Sequence, residues 1–328
     1  MTEELNNVYV KETSIVAGFL EKEGPFGKYF DKSYEDYNMD ESLELSEVKL
    51  AKDAVSILFK KACISNGDID LVVGGDLLNQ ICATSYAIEN TNIPFLGVFS
   101  ACSTSMESII VASKFIDDNT ICNAVCLTSS HNLAEEKQFR NPTEYGYTKP
   151  KTATFTSTGG AAILLTSEKQ DIKIASYTIG KIVNMKQKDV NNMGAVMAPA
   201  AADTIFTHLN NLKLSPDYYD LILTGDLGIY GKEILKDYMK DNYNIVLDNY
   251  DDCGAMLYDL EKQKEITAGG SGPVCSALVN YGYIYDMLKK KSFKRVLFVT
   301  TGALFSPTFL FQKQDILAIA HAVSMEVL

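Results

Sequence analysis

Histidine is scarce in this chain: His131, His208 and His321 are the only three in 328 residues. So few imidazoles limit general acid and base chemistry and argue against a histidine metal cluster. Paired cysteine spacing is missing too. The seven cysteines are odd in number and none form CxxC, which fits reduced thiols better than a disulfide framework or a zinc site. Cys122 and Cys126, in or beside an apolar strand-like run, read as core. Long apolar runs are also lacking. A membrane span needs about 18 such residues, and the nearest stretch, Leu297 to Phe311, is broken by Thr300, Thr301, Ser306 and Pro307. The N-terminus, MTEELNNVYVKET, has no basic start and no apolar segment of a secretory signal, so the chain is expected to stay inside its cell. Cations are in deficit, 30 Lys and Arg against 42 Asp and Glu, for a net charge of −12. That balance repels phosphate backbones and anionic headgroups at long range, so nucleic acid is not an expected partner.

What is present is a chain able to fold: 46% hydrophobic and 22% charged residues exclude disorder. Single cores stop growing near roughly 250 residues, so two domains or two similar halves are expected. The chain repeats itself. DLVVGGDLL from Asp70 and DLILTGDLG from Asp220 align at an offset of 150, and AVCLTSS from Ala124 answers VLFVTTG from Val296 at 172. The difference, about 22 residues, is placed near Asp252 to Thr267 as an added hairpin. A helical pattern precedes each first strand, Leu45 through Leu58 in one copy and a helix starting at Pro199 in the other. Short β-branched runs alternating with helical stretches indicate an α/β fold of parallel sheets covered by helices. With no proline- or serine-rich linker, the halves 1–170 and 171–328 are expected to pack as one body. Two polar segments, Phe30 to Glu47 and Ala134 to Lys151, read as long loops.

The strongest local feature is FLGVFSACSTSMESIIVAS, Phe95 to Ser113, an apolar strand, a turn of small residues and an amphipathic helix. Thr104 and Glu107 have the spacing of a capping box, which puts Cys102 at the positive end of the helix. Free N–H groups there favour a thiolate and equally bind a carboxylate. Cys102 is therefore a nucleophile, part of an anion site, or a small buried residue at a tight turn. His131 follows the strand Ala124 to Leu127 toward the same end of the sheet, where ligands collect, and either lines the pocket or sits in the core. His321, in an apolar run, reads as core or interface, and His208 as exposed on a helix.

The motifs GDLLNQ (Gly75 to Gln80), ACSTSMES (Ala101 to Ser108), TSSHN (Thr128 to Asn132), QFRNPTEYG (Gln138 to Gly146), MAPAAADT (Met197 to Thr204), LILTGDL (Leu221 to Leu227), DDCG (Asp251 to Gly254), AGGSG (Ala268 to Gly272) and TGALFSPT (Thr301 to Thr308) occur in order over nearly the whole chain. With them the sequence resembles the thiolase and ketoacyl synthase superfamily and, within it, the AD family of stage V sporulation proteins. The resemblance implies a thiolase-like five-layer αβαβα fold made of two duplicated βαβαβαββ halves. It also implies binding of dipicolinic acid, as the free acid or its calcium chelate, during uptake in sporulation and release in germination. Implied partners are the membrane proteins of the spore's dipicolinic acid channel, with the protein held peripherally at the spore inner membrane, and a homodimer is an open expectation because superfamily members often pair through sheets. No cofactor and no resident metal are expected.

Condensing enzymes of this superfamily pair their cysteine with a histidine and a second histidine or asparagine. Here Thr224-Gly225-Asp226 stands where the synthase pattern has histidine, and Thr301-Gly302-Ala303 replaces a cysteine and glycine motif. The expectation is lost condensing chemistry, the alternative an acyltransferase or ketoacyl synthase-like enzyme with Cys102 as nucleophile. A dicarboxylate needs local cations, which the segment with Lys137, Arg140, Lys149 and Lys151 supplies; Arg140 can grip a carboxylate bidentately or be a surface residue. The expected ligand-binding set is Cys102, Ser103, His131, Arg140, Asp76, Asp226, Ser271 and Gly272. The repeat-related Asp76 and Asp226 are awkward beside an anion; each is read as capping a helix or holding a loop, or as meeting calcium carried by the ligand.

Overall fold

The computed structural model describes residues 1–37, 39–139 and 149–328. In the first half, strands β1 (Tyr9–Ala17), β2 (Leu71–Gly75), β3 (Phe95–Gly97), β4 (Asn123–Ser130) and β5 (Gly159–Thr166) are separated by helices α1 (Leu43–Ala62), α2 (Cys82–Ile88), α3 (Thr104–Asp117) and α4 (Asn132–Phe139). In the second, β6 (Ile172–Ile179), α5 (Met193–Leu212), β7 (Leu221–Thr224), α6 (Gly228–Tyr243), β8 (Tyr250–Asp252), α7 (Cys253–Met256), α8 (Pro273–Leu278), β9 (Arg295–Leu304), α9 (Pro307–Phe311) and β10 (Leu317–Val327) follow in matching order.

Hydrogen bonding runs β8-β7-β9-β10-β6-β1-β5-β4-β2-β3, so each half repeats the other about the β1 and β6 contact. Within each half the first three strands of this order from the outer edge are parallel and the next two antiparallel, so the sheets are mixed and not purely parallel. Both faces are covered, and successive side chains alternate between them. Val72 packs outward against α1 while Val73 packs inward; Val296 and Phe298 point inward and Leu297 and Val299 outward against α5. The inward core is shared by α3, through Met106, Ile109 and Ile116, and by α8, through Val274, Ala277 and Leu278. These layers make the thiolase-like fold, with both Gly-Asp-Leu motifs directly after equivalent strands.

Several expectations fail locally. Helix α5 begins at Met193, six residues before Pro199, which lies inside it. The residues after β8 form α7 and turns instead of a hairpin: Gln263 N–H donates to Asp259 O at 2.8 Å, and Gln263 Nε2 to Leu20 O at 2.7 Å. The end of the first polar segment is the start of α1, capped by Ser42 Oγ accepting from Leu45 N at 3.1 Å, and Glu47 there is fully buried. The start of the second is α4. Cys126 is core, but Cys122 is exposed, because it precedes β4 by one residue. No helix of the described residues is long and apolar enough to cross a membrane.

Candidate functional site

Cys102 sits between β3 and α3 on a turn that departs from ordinary backbone: Ala101 has φ 52°, a left-handed value costly for a residue with a Cβ. The expected capping box does not form, because Thr104 Oγ1 instead donates back to Ala101 O at 2.6 Å and accepts from Ser100 N at 3.2 Å. Those bonds hold the turn. On the other side Gly302 lets β9 pass closely, since a Cβ there would lie 2.2 Å from Ser100 O. The short parallel pair Phe155–Thr156 and Gly270–Ser271 brings the second half over the thiol. Cys102 Sγ lies 3.8 Å from Ser271 Oγ, which donates to Asp226 Oδ2 at 3.0 Å, and Gly272, at φ 95°, turns its N–H toward the sulfur.

Electrostatics here oppose a thiolate. Burial first, and then the neighbouring Asp226 carboxylate, push the Cys102 thiol well above its ordinary value. Asp226 is itself pushed up to about 6, chiefly by burial, against hydrogen bonds led by that from Thr301 Oγ1 at 2.5 Å. We expect Asp226→Asn to speed alkylation of Cys102 by iodoacetamide near neutral pH by roughly tenfold, since each pKa unit is tenfold in thiolate. Unchanged slow alkylation would mean that the carboxylate does not control the thiol.

The mouth in front of Cys102 is a narrow cleft, partly open to solvent, between Leu77, Phe99, Phe139, Met193 and Phe305, with Glu135, Glu136, Thr156 and Ser271 as polar lining. Of the expected set, Cys102 and Ser271 line this mouth, with Gly272 and Asp226 beside them. The others do not. Ser103 turns away and donates to Thr300 O at 2.8 Å. His131 is fully buried against Tyr37 O, 3.0 Å from Nε2, and its Nδ1 accepts from Ala134 N, so it belongs to the core reading. Asp76 accepts from Leu78 N, Thr84 N and Thr84 Oγ1 at 2.7–2.9 Å, the loop-holding role expected of it. In the second half that role passes to Asp252, which binds Leu227 N and Gly228 N, freeing Asp226 for the thiol. Arg140 lies outside the described residues. Lys137 pairs with Glu44 and Lys149 with Glu136, so no lysine or arginine lines the mouth among the described residues.

His321 Nδ1 accepts from Gly180 N at 3.3 Å, and His208, expected on the surface, is buried between Thr178 Oγ1 and Tyr219 OH at 2.8 and 2.7 Å. Burial drives both imidazoles down to about 4. The reading of His208 failed because its apparently polar helix face meets β6. Sequence reasoning also missed Glu135, hidden in a segment taken for a loop. It faces Glu47, and burial raises both carboxyls; Asp76 adds to the rise in each and Glu47 to that of Glu135, while the hydrogen bond with Glu135 works the other way on Glu47. One oxygen of each lacks a partner unless a proton lies between them.

The profile of the family described as stage V sporulation protein AD matches residues 2–326. Stage V sporulation protein AD of Bacillus subtilis (strain 168) is 45% identical over 320 residues, 97% of this chain and 94% of that protein. The chain belongs to the stage V sporulation protein AD family. Solved structures similar to this family member share its fold at low identity. Cerulenin-bound OleA of Xanthomonas campestris has a TM-score of 0.64 at 12% identity, covering 98% of this chain and 97% of that one. Human mitochondrial 3-ketoacyl-CoA thiolase in complex with CoA has 0.60 at 11%, covering 99% of each. The 3-oxoacyl-[acyl-carrier-protein] synthase III of Aquifex aeolicus VF5 has 0.56 at 12%, covering 99% and 100%. This family member thus carries a thiolase-like fold in which the second half offers Asp226, Ser271 and Gly272 to the cysteine, with no imidazole hydrogen-bonded to its sulfur among the described residues.

Proposed function

We propose that this sporulation protein binds dipicolinic acid at the mouth in front of Cys102, as the calcium chelate, and carries out no condensation. The observation that carries the reading is the pairing of three phenylalanines with acidic side chains in front of a thiol whose burial disfavours the thiolate. Phe99, Phe139 and Phe305 suit a flat pyridine ring. A free dicarboxylate would meet the Glu136 carboxylate of the lining and, behind Ser271 and Cys102, that of Asp226 unfavourably, whereas a chelated calcium makes such oxygens favourable neighbours. No group of three His, Cys, Asp or Glu among the described residues is placed to hold a metal by itself, so calcium enters as part of the cargo. Arg140 remains the proposed cation for a carboxylate of the ligand. The proposal extends to work at the spore inner membrane beside the membrane proteins of the dipicolinic acid channel, in uptake and release.

Calorimetric titration tests it. Dipicolinate with calcium should bind saturably and at least roughly tenfold more tightly than without calcium or than picolinate, and Phe305→Ala and Arg140→Ala should each weaken binding by about tenfold, or 1.4 kcal/mol. Absence of saturable binding refutes the reading. An acyl group found on Cys102 after incubation with acyl-CoA would establish the acyltransferase alternative, which the strained turn at Ala101 otherwise favours.

A further inference from the structure

Helix α9 leaves two large apolar side chains in solvent: Phe309 is 58% exposed and Phe311 80%. It follows directly from Phe305 at the mouth of the pocket, and Ser306 Oγ fixes its first turn by accepting from Phe309 N. Residues 181–189 run as a strap along the segment 315–318 that follows it. Val183 and Ala318 exchange both backbone hydrogen bonds at 2.8 and 2.9 Å, Ile316 N–H donates to Gln187 O at 2.8 Å, and Asn184 Nδ2 donates to Asp315 Oδ2 at 3.2 Å. This strap exposes Ile182 and Met185. The two adjoining segments therefore present four exposed apolar side chains.

Lysines flank these apolar side chains. Lys181, Lys186, Lys188 and Lys313 all lie in these segments, against Asp189 and Asp315, in a chain with twelve more acids than bases. Asp203 holds Lys181 at 2.8 Å and Asp315 lies 3.7 Å from Lys188, but Lys186 and Lys313 form no ion pair among the described residues. The exposed Tyr86 on α2, Leu96 in β3 and Phe99 after it, by contrast, lie in a stretch with no lysine or arginine between Asn79 and Phe99. Phenylalanines that insert among acyl chains, flanked by lysines that meet headgroup phosphates, are the two components of interfacial membrane binding.

We infer that the face formed by α9 and the 181–189 strap docks onto an anionic lipid surface, with Phe309 and Phe311 inserted and the lysines on the headgroups. The inference rests on the membrane association proposed above and names the face that makes it. Docked this way, the mouth lined by Phe305 opens beside the bilayer, where cargo would arrive and leave.

Co-sedimentation of the full chain with vesicles tests the assignment. The chain should bind phosphatidylglycerol-containing vesicles and not pure phosphatidylcholine, and high salt should weaken binding. Phe309→Ser with Phe311→Ser should reduce partitioning roughly tenfold or more, and Lys186→Glu with Lys313→Glu should do the same on anionic vesicles, while Tyr86→Ser changes nothing. The affected side chains are exposed, so circular dichroism and dipicolinate titration of the variants should match the parent. Binding that survives both double variants overturns this face while leaving membrane association standing. No binding of the parent to anionic vesicles overturns lipid docking itself, and self-association that the Phe309 and Phe311 changes abolish would assign the face to a second copy. Failure of dipicolinate binding with intact vesicle binding would instead remove the pocket reading alone.

Discussion

Asp252→Ala should lower the unfolding free energy by about 4 kcal/mol, among the largest effects of any single polar substitution in this chain. One carboxylate, fully buried, accepts from Thr224 Oγ1, Leu227 N, Gly228 N and Ala255 N at 2.8–3.0 Å. It ties the end of β7 to the start of α6 and caps α7, so truncation leaves three backbone donors without partners in a space water reaches poorly and takes one acceptor from the Thr224 hydroxyl, which keeps Tyr250 OH at 2.7 Å. Asp252→Asn keeps one accepting oxygen and should lose about half as much. Urea denaturation reads the result, and a loss below about 1 kcal/mol would show that the surrounding backbone finds other acceptors.

Glu21→Gln should change the pH dependence of stability as strongly. Glu21 is fully buried on the short helix Phe19–Glu23, where its Oε1 accepts from Tyr258 OH and from Thr158 N at 3.0 Å. Burial raises its carboxyl from 4.5 to about 7 in the folded chain. Because the folded state holds this proton more tightly than the unfolded one, the stabilisation is complete below the unfolded value and disappears as pH rises through the folded one. The raised carboxyls of Glu47 and Glu135 act in the same direction. The parent should therefore lose roughly 2 to 3 kcal/mol to Glu21 alone between about pH 4.5 and 8. The glutamine variant, which keeps the accepting oxygen, should show a flatter profile and be the more stable protein at the alkaline end. Parallel curves for the two proteins would place the raised pKa elsewhere.

The duplication was legible because each half builds its sheet from short local runs, and a repeat such as DLVVGGDLL and DLILTGDLG survives wherever both copies occupy equivalent strands. The turn at Cys102 was legible for a similar reason, as apolar strand, small residues and helix lie within one stretch. The same reading went astray on α4 and the start of α1. Glu47 and Glu135 look like solvated charge in a linear pattern, yet both are buried and share the space behind the pocket wall.

The sequence by itself determined the α/β class, the paired halves and the strand-turn-helix carrying Cys102. Only the tertiary structure decided that the three histidines are buried, that Asp252 takes over the loop-holding role and frees Asp226 for the thiol, and that the pocket is aromatic and acidic. The physical reason is range. Helix and strand patterns are set by neighbours a few residues apart, whereas the protonation of Cys102 depends on Ser271 and Asp226, and that of Glu21 on Tyr258, partners more than a hundred residues away whose approach excludes water.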